Sequence, residues 1–181
     1  GILQSVFVHN AYLKHITPTN ATVIDIGAHT GEFALFCEIY LKAKTIYSFE
    51  PIGTSYQILK KNKRDNVYHT AIGTTKNILM HIPKHTVMAS AFPTPDTSWQ
   101  ENVSCTTLDE IPEIHALPYI DVFKIDVEGM EYDVLTASEK SLKKSQYILM
   151  ELSVDRPASH PPLQTLAYLT AIIPSITLMH V

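Results

Sequence analysis

The sequence predicts an α/β fold, a doubly wound and mostly parallel central sheet in a single domain spanning residues 1–181, with a β-rich insertion after the third strand. Three observations predict it. Short β-branched apolar runs alternate with segments whose apolar residues recur at helical spacing. Glycines and acids gather just beyond the apolar runs, where an open parallel sheet binds its ligands. The alternation breaks once, between residues 77 and 107. Strand, helix and parallel strand in succession require right-handed crossovers, which leaves few topologies. The chain has 181 residues, of which 45% are hydrophobic and 18% charged, the balance of a globular domain with a core of useful size.

Taken in order, residues 1–21 read as a helical lead-in. Val23 to Ile26 is the first strand, and "GEFALFCEIYLK" sets Phe33, Phe36, Cys37, Tyr40 and Leu41 at helical spacing. Thr45 to Phe49 is the second strand, and Tyr56, Ile58 and Leu59 mark a helix from about Thr54 to Asn62. A third strand begins near Val67 in "NVYHTAIG". The insertion, residues 77–107, holds two strand-like runs, "ILMHIP" and "VSCTTL", around a loop carrying Pro93 and Pro95. Regular alternation resumes with a strand near Tyr119 to Val127, a helix near Met130 to Ser138 and the strand Gln146 to Leu152. A last helix and a strand from Ile176 to Val181 close the chain.

The net charge of -4 gives no footprint for a polyanion, so no nucleic acid is expected. The basic cluster Lys60 to Arg64 reads as the solvated end of a helix. Cys37 and Cys105 form no CxxC, so neither a redox motif nor a zinc site is indicated, and no other metal site is expected. Leu163 to Val181 carries no charged residue, yet Pro174 interrupts it; it reads as a buried helix followed by a strand, not as a membrane span. Together these features predict a cytoplasmic protein.

The stretch "VIDIGAHTGEF" decides the ligand. A dinucleotide fingerprint needs G-x-G-x-x-G, and His29 and Glu32 stand where that pattern requires glycine. A phosphate-binding P-loop fails as well, because no G-K-[ST] closes the turn. What remains is D-x-G-x-x-x-G: Asp25 ends the strand, Gly27 makes the turn, and Gly31 lets the following helix pack against the strand. Glu50 lies 25 residues beyond Asp25 at the end of the second strand, where an acid accepts hydrogen bonds from ribose hydroxyls. A nucleoside without a pyrophosphate but with a cationic centre suits this pair of acids, and S-adenosyl-L-methionine is such a ligand.

These residues, with "SFEP", "TAIG", "FKIDVEGMEYDVL" and "ILMEL" in that order, resemble the FkbM-type family of S-adenosylmethionine-dependent methyltransferases. The K-x-D-x-E-G-x-E arrangement is the most specific of the blocks. The resemblance spans about Val23 to Leu152 and implies the methyltransferase variant of the Rossmann-like fold. It places Asp25, Gly27, His29 and Gly31 at the methionine end of the cofactor, Glu50 on the ribose, and Ala71 and Ile72 near the adenine. His29 stands where the family usually carries Asn.

Period-two alternation sets Lys124, Asp126 and, if extension persists, Glu128 on one face of the fourth strand. A buried lysine needs a partner, and Asp126 or Asp25 supplies one. Asp126 and then Glu128 are the expected catalytic carboxylates, either serving as base toward an acceptor hydroxyl. Glu131 is expected to turn back into the first helical turn, where its charge suits the helix N-terminus. His85, His160 and Arg156 read as exposed loop residues, with a place at the cleft mouth as the alternative, and Met88, Phe92 and Trp99 read either as the ordinary packing of a long loop or as an apolar lid over the acceptor. The reaction expected is methyl transfer to oxygen on a small molecule or sugar. Two alternatives remain open: a catalytically silent cofactor- or partner-binding module on the same fold, and an NAD-dependent oxidoreductase, which the missing glycine fingerprint disfavours.

Overall fold

The computed structural model of the protein describes residues 18–62, 65–84 and 89–176. Five parallel strands form the main sheet: β1 (Thr22–Ile26), β2 (Thr45–Phe49), β3 (Val67–Tyr68), β7 (Ile120–Ile125) and β8 (Ser145–Met150). Their order is β3-β2-β1-β7-β8, so the chain winds outward from β1 in one direction and then, from β7, in the other. The switch point therefore lies between the carboxyl ends of β1 and β7, where such sheets bind ligands. This is the doubly wound sheet expected from the alternation of patterns.

β1 is buried along its length because it is central: Val23, Ile24, Asp25 and Ile26 are all sealed from solvent. Alternate residues face opposite layers. Val23, Ile46 and Val122 pack with Phe33, Phe36 and Cys37 of helix α1 (Glu32–Tyr40). Ile24, Phe49, Phe123 and Ile125 pack on the other side with Val134 and Leu135 of α4 (Glu131–Thr136), Leu142 of α5 (Glu139–Lys143) and Leu169 of α6 (Pro162–Ile172). Helix α2 (Gly53–Asn62) carries Lys60 and Lys61 in its exposed last turn, as the basic cluster predicts; Lys63 and Arg64 lie outside the described residues.

The insertion forms a second sheet, β4-β6-β5, from β4 (Ala71–Ile72), β5 (Asn77–Pro83) and β6 (Thr97–Thr106). β5 and β6 pair as an antiparallel hairpin, while β4 runs parallel to β6. The "TAIG" stretch thus leaves the main sheet after Tyr68 and opens the smaller one. Ile52, Met80, Ile82 and Val103 make a separate apolar cluster that fastens this sheet to the start of α2. A short helix α3 (Pro112–His115) follows a single 3-10 turn and leads into β7.

The ends depart from expectation. Of the helical lead-in, residues 1–17 lie outside the described residues, and Pro18 to Ala21 form a bend with Asn20 at a φ of 59° instead of a helix. The final strand also falls outside the described residues, except Ile176. Helix α6 is not the buried helix its composition suggests: only Thr165 and Leu169 are fully covered, and Leu163 is exposed. Proline caps and one apolar stripe suffice to lay it against α4. Among the described residues no helix is long and apolar enough to cross a membrane.

Candidate active site

A cleft of about 310 Å³ opens at the switch point. Its floor is the turn after β1, Gly27 to His29; its sides are Glu50 to Ile52 after β2, Asp126 to Glu128 after β7, and Glu151 with Arg156 after β8. Thr70, Ala71, Ile72, Ile78, Met80 and Ala89 from the smaller sheet form the apolar wall.

The turn is built by backbone constraint. Gly27 has a φ of +79°, and its N–H and that of Ala28 both donate to the Phe49 carbonyl at 3.0 Å. A Cβ at Gly27 would lie 1.8 Å from the Asp126 carbonyl oxygen, so the glycine is demanded by the approach of β7 as much as by any ligand. His29 itself adopts a left-handed φ of 48°, a conformation uncommon outside glycine.

This turn then holds Glu50. The His29 N–H donates to Glu50 Oε2 at 2.9 Å, and the Ile52 N–H donates to Oε1 at 2.8 Å. Each oxygen keeps further lone-pair capacity toward the cleft. Burial pushes the Glu50 carboxyl up to about 7, against the pull of these two donors. Beside it, both ring nitrogens of His29 are buried without a hydrogen-bond partner among the described residues, Nδ1 standing 3.6 Å from Glu32 Oε1. Burial also pushes Glu32 up, but the His29 ring and the Thr30 hydroxyl outweigh it and bring that carboxyl down to about 2.

Under the floor sits a buried charge cluster. Asp25, Ser48 and Lys124 are in register across β2, β1 and β7, on the face that α1 covers. Lys124 Nζ lies 3.3 Å from Asp25 Oδ1 and 3.2 Å from Asp126 Oδ2, and donates to the Gly27 carbonyl at 3.2 Å. Burial alone would lower the pKa of this ammonium; the Asp25 and Asp126 carboxylates overcome that and raise it above the ordinary lysine range. Lys124 therefore answers both acids, where either one was expected to suffice.

Two expected cofactor residues do not line the cleft. Asp25 points toward α1, because alternation puts it on the face of Val23, and it supports the floor through Lys124. Gly31, with a φ of +98°, caps α1 on the far side of the turn; its Cβ would meet Leu59 of α2 at 3.0 Å, so its clearance serves a neighbouring helix and not the strand. Gly27, His29, Glu50, Ala71 and Ile72 do line it, as do Asp126 and Glu128.

Glu128 is not on the strand. β7 ends at Ile125, and Glu128 sits in the following turn at a φ of 53°, its carboxylate ion-paired with Arg156 and its carbonyl accepting from Ser90 Oγ at 2.7 Å. Glu131 turns back as expected, accepting from the Gly129 N–H at 3.0 Å and from Ser153 Oγ at 2.8 Å. His160 stacks on Tyr132, with ring centroids 3.7 Å apart, and is not among the lining residues. Trp99 is exposed on β6 and Phe92 packs by Gly129; His85 and Met88 lie outside the described residues. The apolar wall comes instead from Ile78 and Met80, whose spacing of two in "ILMHIP" is the signal that marks one face of a strand. Among the described residues no group of three or more His, Cys, Asp or Glu is arranged to hold a metal ion.

A parallel sheet in this order, with a ligand-sized cleft at its switch point and an acid at the end of β2, defines a Rossmann-like domain of the methyltransferase type. The sequence model of the FkbM methyltransferase domain matches residues 25–170, and the chain belongs to that family. A crystal structure of methyltransferase FkbM from Methylobacillus flagellatus KT is similar, with a TM-score of 0.60 and 16% identity, the match covering 92% of this chain and 42% of that one. Fibrillarin from Aeropyrum pernix, solved with natively bound S-adenosyl-L-methionine, has a TM-score of 0.53 and 14% identity, covering 93% of this chain and 63% of that one. The chain thus spans less than two thirds of either structure. No curated protein sequence matches it.

Proposed function

We propose that this domain is an S-adenosyl-L-methionine-dependent methyltransferase acting on an oxygen of a small molecule or sugar. The observation that carries the reading is Glu50: a buried carboxylate, fixed by two backbone donors, facing a cleft shared with the Gly27–His29 turn. The residues present fit the cofactor. Glu50 has lone pairs left for two ribose hydroxyls, Ala71 and Ile72 offer an apolar edge for the adenine, and the His29 Nε2, without a hydrogen-bond partner among the described residues, suits the polar methionine end.

Once bound there, the cofactor supplies an electrophilic methyl group. The chain's part is to position an acceptor and manage its proton. Asp126, anchored by Lys124 at the end of β7, accepts the hydrogen bond of an acceptor hydroxyl and takes its proton. Glu128, held by Arg156, orients the acceptor from the neighbouring turn. Ile78, Met80 and Ala89 keep water from that side. The acceptor is not a nucleic acid on this reading, since the net charge is -4. The domain acts in the cytoplasm, where two unpaired thiols persist.

Calorimetry tests it. Both S-adenosylmethionine and S-adenosylhomocysteine are expected to bind, and Glu50→Ala should weaken binding by about 1–3 kcal/mol. Folded protein that binds neither at millimolar concentration would overturn the reading.

A further inference from the structure

The cleft is rich in acids and short of cations. Among its described lining residues only His29, Lys124 and Arg156 can carry positive charge, so a ligand with a free carboxylate has few side chains to meet. Two of the three are engaged. Lys124 answers Asp25, Asp126 and the Gly27 carbonyl, while Arg156 pairs with Glu128 through Nη1 and with Asp155 through Nε. His29 turns Nδ1 toward Glu32, and its Nε2 is buried with no hydrogen-bond partner among the described residues. A buried N–H in that position is costly until it finds an acceptor.

The order of the strands sets this nitrogen against the cofactor. Ala71 and Ile72, which follow β3, stand on one side of Glu50, and the turn after β1 stands on the other. With the ribose hydroxyls on Glu50 and the adenine against Ala71 and Ile72, the substituent at the ribose 5′ carbon leaves toward β1. His29 stands there, its backbone N–H on Glu50 Oε2 at 2.9 Å and its side chain starting beside the ribose site. We propose that His29 receives the α-carboxylate of the cofactor's methionine, its Nε2–H donating to a carboxylate oxygen. The inference rests on the function proposed above. The contact with Glu32 raises the His29 pKa against the effect of burial, and the Glu50 and Asp126 carboxylates add to the rise, so the ring keeps its second proton beyond the ordinary histidine range. The α-ammonium of the same ligand needs no such residue, because the cleft already offers it carboxylates.

The experiment compares S-adenosylhomocysteine with methylthioadenosine, which shares the nucleoside and the sulfur but lacks the amino-acid end. Calorimetry gives both affinities for the wild type and for His29→Gly, in which glycine accepts the φ of 48° and far-UV circular dichroism checks the fold. The wild type should bind S-adenosylhomocysteine more tightly than methylthioadenosine. His29→Gly should lose roughly tenfold or more in affinity for S-adenosylhomocysteine, the range of a charge-assisted hydrogen bond, and less than about twofold for methylthioadenosine. If His29→Gly is not folded, His29→Asn, a residue type that tolerates the left-handed turn, takes its place with the same reading of the ratio. An unchanged ratio of the two affinities, whether both fall together or neither moves, overturns the proposal while leaving the methyltransferase reading in place. A wild type that binds neither ligand overturns that reading and this proposal with it.

Discussion

Lys124 is the residue on which the floor of the cleft depends. Its ammonium compensates Asp25, whose two oxygens are buried and take no well-formed hydrogen bond, and it also steadies Asp126 and the Gly27 carbonyl. Removing one member of a buried ion pair leaves an unpaired charge, at a cost of about 3–5 kcal/mol. Lys124→Met should lose stability by that order in urea unfolding, and Lys124→Met with Asp25→Asn should recover part of it. Glu50 gives a pH dependence of defined sign. Its carboxyl moves from an ordinary value of 4.5 to about 7 in the fold, so the folded state holds the proton more tightly. The associated stability is fully present below about pH 4.5 and is lost as the pH rises through about 7, on the order of 3 kcal/mol. Urea unfolding at pH 5 and pH 8 should differ by less in Glu50→Gln than in the wild type. Cofactor affinity should run the other way, rising through pH 7 as the carboxylate ionises.

At the scale of elements, the turns after β1 and β7 are one structure made twice over: Gly27 clears the Asp126 carbonyl, and Gly129, at a φ of +103°, clears the Pro157 carbonyl in the loop after β8. The glycine and acid types of these turns are legible in the sequence, because only such residues serve at a left-handed or charge-bearing strand end. Their directions are not. Asp25 is one position before the strand end and so faces α1, Gly31 answers to Leu59, and Glu128 leaves the strand face because extension stops at Ile125. The smaller sheet carries a link that no local pattern announces: Glu101 of β6 accepts from the Gly53 N–H at 3.1 Å and so caps α2 across 48 residues of chain. Glu101→Ala should destabilise the protein by about 1 kcal/mol, the usual loss for a helix cap, with the change read from the urea midpoint.

Across the whole molecule, two apolar layers flank the main sheet and a third cluster ties the smaller sheet to α2. The two cysteines lie in different places, Cys37 in the layer under α1 and Cys105 on β6, and both are buried. Burial pushes both thiols above their ordinary range. If the sheets unfold together, both should stay unreactive to a thiol reagent in the native state and become labelled over the same denaturant range; early labelling of Cys105 alone would mean that the smaller sheet opens first. The sequence by itself determined the doubly wound sheet, the family and the types of residue at the strand ends, because periodicity and turn chemistry are local properties of the chain. Only the tertiary structure decided that Asp25 lies beneath the cleft, that Arg156 holds Glu128 and that Glu151 stands without a side-chain partner among the described residues. Those facts depend on which side chains meet across strands and loops distant in sequence, and no local pattern encodes such meetings.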